Sequence, residues 1–184
     1  NTGDKVLIIT PSYDNFRAIA EQRGGHVLTF DFEGNSSFPM EQLIRYVRQE
    51  LPRVLYLTNP NNPIGYHLSR SYIAELCNAA TSCLVIVDEA YAEFRSAGTP
   101  STVTKLAGNP RLIVIRTMSK AFSYAGARVG YLAANPEVIE AIQLVRLPYH
   151  LSSVTQAVAK VALRFSGELQ SQVSLLRHER DELT

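Results

Sequence analysis

Five side chains that can do chemistry each follow a short apolar segment of this 184-residue sequence: Tyr13, Asn62, Asp88, Lys120 and Arg128. A lysine amine can form a Schiff base with an aldehyde, and a carboxylate can keep a pyridine nitrogen protonated. An arginine with neighbouring hydroxyl groups can bind a phosphate, and an aromatic ring can stack on a flat heterocycle. Pyridoxal 5′-phosphate uses all four interactions, so these residue types predict a site for it.

The apolar segments that precede these residues alternate with amphipathic ones. The pattern predicts strands over 5–10, 26–30, 54–57, 84–87, 112–115 and 129–133, and helices over 16–22 and 39–50, after Ser69, from Pro136, and over 153–165 and 171–183. Such alternation is typical of a three-layer α/β/α domain around a mostly parallel sheet. The sixth strand is expected to be antiparallel to its neighbour. Only residues 118–128 connect it to the segment of the fifth strand, and a parallel crossover needs about a dozen residues or more.

The fold class predicts where the polar residues meet. In open α/β sheets, ligands bind beyond the carboxyl ends of the strands. The residues that follow the first, third, fourth and fifth strands are therefore expected to line one pocket at this edge, although they are far apart in the sequence.

The composition argues against several other functions. The chain has 18 Lys and Arg against 17 Asp and Glu, and its net charge of +1 gives no electrostatic basis for binding nucleic acid or an anionic membrane. Its apolar runs are far shorter than the roughly 18 residues of a membrane span, and its first residues do not have the cationic-then-apolar pattern of a leader, so secretion is not expected. We expect a cytoplasmic protein. Cys77 and Cys83 lack metal-ligand or redox spacing and are predicted to be buried thiols, so no metal site is expected.

Three segments are similar to the signature blocks of fold-type I pyridoxal-phosphate aminotransferases: NPNNPIG at 59–65, VIVDEAYAEF at 85–94 and RTMSKAFSYAGARVGY at 116–131. They most resemble the histidinol-phosphate aminotransferase family, as do TPSYDNF at 10–16 and RLPYHLSS at 146–153. Long blocks in the correct order are more specific than a lone short motif. The sequence departs from the family at Ser123-Tyr124, where Gly-Leu is usual.

The resemblance implies the central roles in a site. Lys120 would hold the cofactor covalently and then move a proton between carbon atoms of the substrate and the cofactor. Asp88 would pair with the pyridine nitrogen. Tyr91 and Asn62 would hydrogen-bond the phenolic oxygen of the cofactor.

The resemblance implies four further roles around the same cofactor. Thr117, Ser119 and Arg128 would bind its phosphate, and Tyr13 would stack on its ring. Six of the site residues also have an ordinary alternative: a helix cap for Asp88, a solvated side chain for Lys120, a turn for Asn62, a surface ion pair for Arg128, and an aromatic position at the core edge for Tyr13 and Tyr91. The Asp-Glu pair at a strand end resembles the Walker B carboxylates of nucleotide hydrolases as well, but the chain has no Gly-rich loop ending in Gly-Lys-Ser/Thr.

The resemblance also sets expectations for the whole protein. Residues 1–184 are expected to be an incomplete large domain that binds pyridoxal phosphate, without the family's N-terminal segment and C-terminal small domain. The implied reaction exchanges an amino group between an amino phosphate and a 2-oxo acid, as between histidinol phosphate and 2-oxoglutarate in histidine biosynthesis, in a homodimer. Three alternatives stay open: an aromatic amino-acid aminotransferase, a phosphothreonine decarboxylase, and a chain that by itself only binds cofactor or dimerises.

Overall fold

One six-stranded sheet organises the structure, a computed structural model that describes residues 2–34 and 37–183. Its strands are β1 (Lys5–Thr10), β2 (His26–Asp31), β3 (Val54–Thr58), β4 (Leu84–Asp88), β5 (Leu112–Thr117) and β6 (Gly130–Ala134). The spatial order is β2-β1-β3-β4-β5-β6, with β1 to β5 parallel and β6 antiparallel to β5. The predicted mostly parallel sheet and the antiparallel sixth strand are confirmed.

The helices follow the predicted pattern except near the C-terminal end. They are α1 (Asn15–Gln22), α2 (Met40–Glu50), α3 (Arg70–Ala79), α4 (Pro136–Val145), α5 (Ser153–Ala162) and α6 (Ser166–Leu183). Ser69 caps α3 by accepting a hydrogen bond from the backbone of Tyr72. The prediction of helices over 153–165 and 171–183 was wrong at their junction: α5 gives way to the 3₁₀ turn Leu163–Phe165, and α6 begins before Gly167. A glycine in a helix costs about 1 kcal/mol relative to alanine, and at position 167 this cost is too small to keep the residue out of α6.

Helices cover both faces of the sheet. Leu7 and Leu55 point into the larger core, which α2 and α3 cover. Their neighbours on alternate positions, Ile8 and Tyr56, point to the opposite face, where Phe16 of α1 packs. This arrangement gives the predicted three layers.

The parallel strands bring their carboxyl ends to one edge of the sheet. Thr58 pairs with Asp88 in register, and Asp88 in turn pairs with Ile115. Because β6 runs in the opposite direction, its first residue, Gly130, pairs with Thr117 at this same edge. A Cβ at position 130 would lie 2.9 Å from the carbonyl oxygen of Arg116, so glycine permits the close pairing. The connection between β5 and β6 therefore starts and ends at this edge, which keeps residues 118–129 there.

Three predictions concern features other than this edge: the two cysteines, a membrane-spanning segment and a metal site. Cys77 and Cys83 are buried free thiols, and burial raises the pKa of each to about 11. Within the residues that the structure describes, no helix is long and apolar enough to cross a membrane. The same residues include no group of three or more His, Cys, Asp or Glu suited to a metal ion.

Candidate active site

A cavity of about 280 Å³ lies at the carboxyl edge of the sheet. It brings together all of the residues predicted from the sequence, which are Tyr13, Asn62, Asp88, Tyr91, Thr117, Ser119, Lys120 and Arg128. Four further residues line it: Thr58, Ala90, Ile115 and Arg116. The structure thus places the predicted side chains in one cavity, while the role of each toward a cofactor stays a prediction.

Asp88 ends β4, and both of its carboxylate oxygens have a donor. The backbone N–H of Ala90 donates to Oδ1 over 2.9 Å. The hydroxyl of Tyr56 donates to Oδ2 over 2.7 Å. Burial, reinforced by the negative charge of Asp88, raises the pKa of Tyr56 far above its usual range, so this hydroxyl keeps its proton.

Sequence reasoning missed Tyr56. A signal for it exists, because Tyr56 lies two residues before Thr58 and therefore on the same face of β3. Thr58 is the register partner of Asp88. The sheet register that makes this signal useful is not visible in the sequence.

Lys120 lies in the turn after β5, with its side chain beside Tyr91. The Nζ atom is 5.3 Å from the centroid of the Tyr91 ring, which is within the range of a cation–π contact. The Lys120 side chain is exposed and Tyr91 is half-buried. The amine is therefore accessible from the cavity, and the aromatic ring limits where it can lie.

Hydroxyl groups and a guanidinium group form one side of the cavity. The Thr117 hydroxyl accepts a hydrogen bond from the backbone N–H of Ser119 over 3.0 Å, which tightens the turn after β5. Arg128 has a left-handed backbone with φ 53°, and its guanidinium group donates to the carbonyl of Ala125. No acidic side chain in the described ranges forms an ion pair with Arg128. This side of the cavity therefore offers hydroxyl and N–H donors together with a positive charge, which suits an anion.

Two other asparagines hold the loop that carries Asn62. The Asn59 side chain is buried and exchanges hydrogen bonds with the backbone N–H and C=O of Leu68. The Asn61 side chain donates to the carbonyl of Pro11 and to the hydroxyl of Thr58. Asn59 and Asn61 thus tie the loop to its surroundings, and Asn62 is left to line the cavity.

Tyr13 lies at the open side of the cavity. It follows β1, and 57% of the residue is exposed. A ring in this position has a face available to a flat ligand.

Glu89, the residue after Asp88, is fully buried behind the site. Its oxygens accept hydrogen bonds from the Ser101 hydroxyl at 2.6 Å and the Thr102 N–H at 2.7 Å, and they pair with Arg116 at 2.9 Å and Arg95 at 3.4 Å. Burial by itself raises the pKa of Glu89. The hydrogen bonds from Ser101 and Thr102 and the charge of Arg95 outweigh this effect and hold the pKa below its ordinary value. In the sequence, Glu89 stands out only as the second residue of the Asp-Glu pair, and nothing there indicates these four partners.

A larger cavity of about 420 Å³ adjoins the first. Asn62 and Tyr91 line both cavities, and His67 and Arg180 lie only on the larger one. Burial, together with the charge of Arg95, lowers the pKa of His67. The two cavities together leave room for a ligand that extends beyond the side chains of Asp88 and Lys120.

The site combines groups that are suited to one kind of chemistry. A fixed carboxylate can stabilise a protonated ring nitrogen, and an accessible amine can react with a carbonyl carbon and exchange protons. Donors around Thr117, Ser119 and Arg128 can bind a phosphate. These groups lie at the ends of strands or in the connections beside those ends, where the sheet holds them in place.

Known proteins with similar sequences are aminotransferases. The sequence model of the family described as aminotransferase class I and II matches residues 1–184. The histidinol-phosphate aminotransferase of Frankia casuarinae is 53% identical over 184 residues, which are 98% of this chain and 46% of that protein. The one of Thermobifida fusca is 48% identical over 181 residues, 98% of this chain and 49% of that protein. The chain thus spans about half the length of the curated relatives it matches.

A solved structure extends the similarity to the fold. The crystal structure of histidinol-phosphate aminotransferase from Sinorhizobium meliloti, in complex with pyridoxal 5′-phosphate, matches with a TM-score of 0.85 and 28% identity. The match covers 95% of this chain and 47% of that chain. These similarities confirm the resemblance that the signature blocks indicated.

Proposed function

The chain belongs to the aminotransferase class I and II family, and we propose that it is the cofactor-binding part of a pyridoxal-phosphate-dependent aminotransferase that acts on histidinol phosphate. The observation that carries the proposal is the single cavity lined by Asp88, Lys120 and the six other predicted residues. The sequence is 48% and 53% identical to the histidinol-phosphate aminotransferases of two organisms, and this similarity supports histidinol phosphate as the substrate.

The residues present fit pyridoxal phosphate. Two donors hold the Asp88 carboxylate in place. It can therefore accept a hydrogen bond from a protonated ring nitrogen in a fixed direction. Lys120 offers an exposed amine at the same cavity, and Arg128 offers a guanidinium group without a described acidic partner. When bound, the cofactor supplies an aldehyde and an electron-withdrawing ring.

Each residue of the chain then has a defined task. Asp88 keeps a negative charge beside the ring nitrogen, and Asn62 and Tyr91 offer hydrogen bonds to the phenolic oxygen. With the cofactor bound, the Lys120 amine would hold its aldehyde in the resting protein; once the substrate amine has displaced it, Nζ would be free to accept a proton and return it.

The anchoring groups complete the proposed site. Thr117, Ser119 and Arg128 bind the phosphate, and Tyr13 covers the ring. Anchoring at the phosphate keeps the reacting atoms near Lys120 while the substrate is exchanged, and such orientation supplies a large part of an enzyme's rate.

We further propose that residues 1–184 are an incomplete large domain of a longer, cytoplasmic, homodimeric protein. The coverage of about half of each relative supports this proposal. Little or no turnover is expected from the 184-residue chain alone.

The test uses the full-length protein that contains this chain, purified and supplied with pyridoxal phosphate. L-Histidinol phosphate with 2-oxoglutarate should yield glutamate, with a kcat/KM at least about ten-fold above that for phenylalanine or tyrosine, a preference of about 1.4 kcal/mol. A preference for the aromatic donors, or release of CO₂ from O-phosphothreonine, would replace the substrate assignment. Absence of any cofactor-dependent reaction would refute the enzyme assignment itself.

A further inference from the structure

Tyr56 lies behind Asp88 and does not line the cavity. It is 3% exposed, and its ring stacks on Phe16 with the centroids 4.0 Å apart and the planes 6° from parallel. Packing thus holds the ring in one place. Its hydroxyl donates to Oδ2 of Asp88 over 2.7 Å.

The contact completes the support of the Asp88 carboxylate. Oδ1 is already held by the N–H of Ala90 at 2.9 Å, so the hydroxyl of Tyr56 removes the remaining freedom of the carboxylate to rotate. Partners behind an acting group commonly set its orientation and its strength as a ligand. A carboxylate with only the Ala90 contact loses a fixed direction.

We propose that Tyr56 is a positioning residue that fixes the Asp88 carboxylate and thereby sets how firmly it holds a protonated ring nitrogen in the cavity. This inference rests on the proposed function. The competing interpretation is that the Tyr56 ring only fills space against Phe16. Tyr56→Phe separates the two interpretations, because it keeps the stacked ring and removes only the hydroxyl.

The first measurement concerns the contact and needs no cofactor. Urea unfolding of the cofactor-free, full-length protein is compared for wild type, Tyr56→Phe, Asp88→Ala and the double variant. A hydrogen bond to a charged group predicts that the two changes are coupled, by a factor of about ten or more in the unfolding equilibrium constant. Coupling below about two-fold would show that the hydroxyl and the carboxylate act independently and would overturn the proposal.

The second measurement concerns the function of the contact. Tyr56→Phe is expected to lower kcat about ten-fold, equivalent to about 1.4 kcal/mol, with the KM for the amino donor within about two-fold of wild type. The pH dependence of the visible absorption of the bound cofactor should also shift, which a role in packing alone does not predict. Unchanged kcat and an unchanged absorption profile in Tyr56→Phe would overturn the proposal.

Tyr66→Phe is the matched control. Tyr66 packs against the core on the other face of the sheet and lines neither cavity, so loss of its hydroxyl should leave kcat and the absorption profile unchanged.

Failure of the proposed function can be distinguished from failure of the role proposed for Tyr56. A wild-type protein without cofactor binding or transamination would refute the proposed function, and with it the role of Tyr56 toward a cofactor, even where the unfolding data show the contact with Asp88.

Discussion

Glu89→Gln is expected to lower the free energy of unfolding by about 3–5 kcal/mol, because it removes the negative charge that two enclosed arginines share. Glu89 is fully buried, and its oxygens lie 3.4 Å from Arg95 and 2.9 Å from Arg116. Glutamine has nearly the same shape, so the substitution tests the charge and the hydrogen bonds, with little change in packing.

The size of this loss of stability follows from how the side-chain amide of a glutamine at position 89 would be oriented among the four groups that donate to Glu89. Its NH₂ group must face either the Thr102 N–H and Arg95, or the Ser101 hydroxyl and Arg116. The second arrangement is the better one, since the hydroxyl can rotate to accept and Arg116 keeps its ion pair with Glu93. The bond to Arg116 is then lost and the one to Arg95 becomes a bond to a neutral oxygen. Each hydrogen bond to a charged group is worth about 1.5–3 kcal/mol, so two weakened bonds account for the expected loss.

The assay is urea unfolding of the full-length protein near neutral pH, followed by circular dichroism. Glu50→Gln is the matched control, because Glu50 pairs with Lys5 at 2.9 Å on side chains that are 21% and 42% exposed. A partly exposed pair of this kind, near the surface, contributes about 1 kcal/mol. A loss for Glu89→Gln no larger than that of the control would refute the reasoning.

The same residue predicts a dependence on pH. The folded pKa of Glu89 lies below its ordinary value, so the unfolded chain takes up this proton first as the pH falls. The stabilisation is therefore fully present above the ordinary carboxyl pKa and is lost as the pH falls through the folded value. The stability difference between wild type and Glu89→Gln should be constant near neutral pH and shrink in that acid range. A difference that grows on acidification would contradict the assignment.

Three further predictions concern the cavity and the strand beside it. In the full-length protein, Asp88→Asn should keep the fold but lower kcat by about 100-fold or more, and activity within about ten-fold of wild type would rule out its role. Borohydride reduction in the presence of pyridoxal phosphate, followed by peptide mass mapping, should place the pyridoxyl group on Lys120, whereas equal labelling of Lys160 would indicate only nonspecific aldehyde chemistry. Gly130→Ala should lower the free energy of unfolding by about 1–3 kcal/mol, because the new Cβ meets the carbonyl oxygen of Arg116 at 2.9 Å; an unchanged urea midpoint would show that the strands can move apart at little cost.

Much of the site could be predicted from the sequence because its residues lie at fixed places relative to strands. Asp88 ends a strand whose apolar residues are easy to recognise, and Lys120 and Arg128 lie within a connection too short for a parallel crossover. The length of that connection predicted the antiparallel strand. The reversal of direction in turn explains why Arg128 reaches the same edge as Asp88.

The residues that support the site could not be predicted in the same way. Tyr56 is an ordinary member of a strand-like segment and Glu89 only follows one, until the sheet order and register are known. Tyr56 meets Asp88 only because β3 lies next to β4, and Glu89 meets Arg116 only because β5 lies on the other side. These neighbours are far apart in the chain, and no local pattern specifies them.

The sequence by itself thus determined the fold class, the direction of the sixth strand and eight of the twelve residues that line the cavity, because strand patterns, connection lengths and signature blocks are local features. Only the tertiary structure decided the strand order, the junction between α5 and α6, and the partners of Asp88 and Glu89. The physical reason is that a buried carboxylate takes its donors from whichever strands and loops packing brings within hydrogen-bond distance.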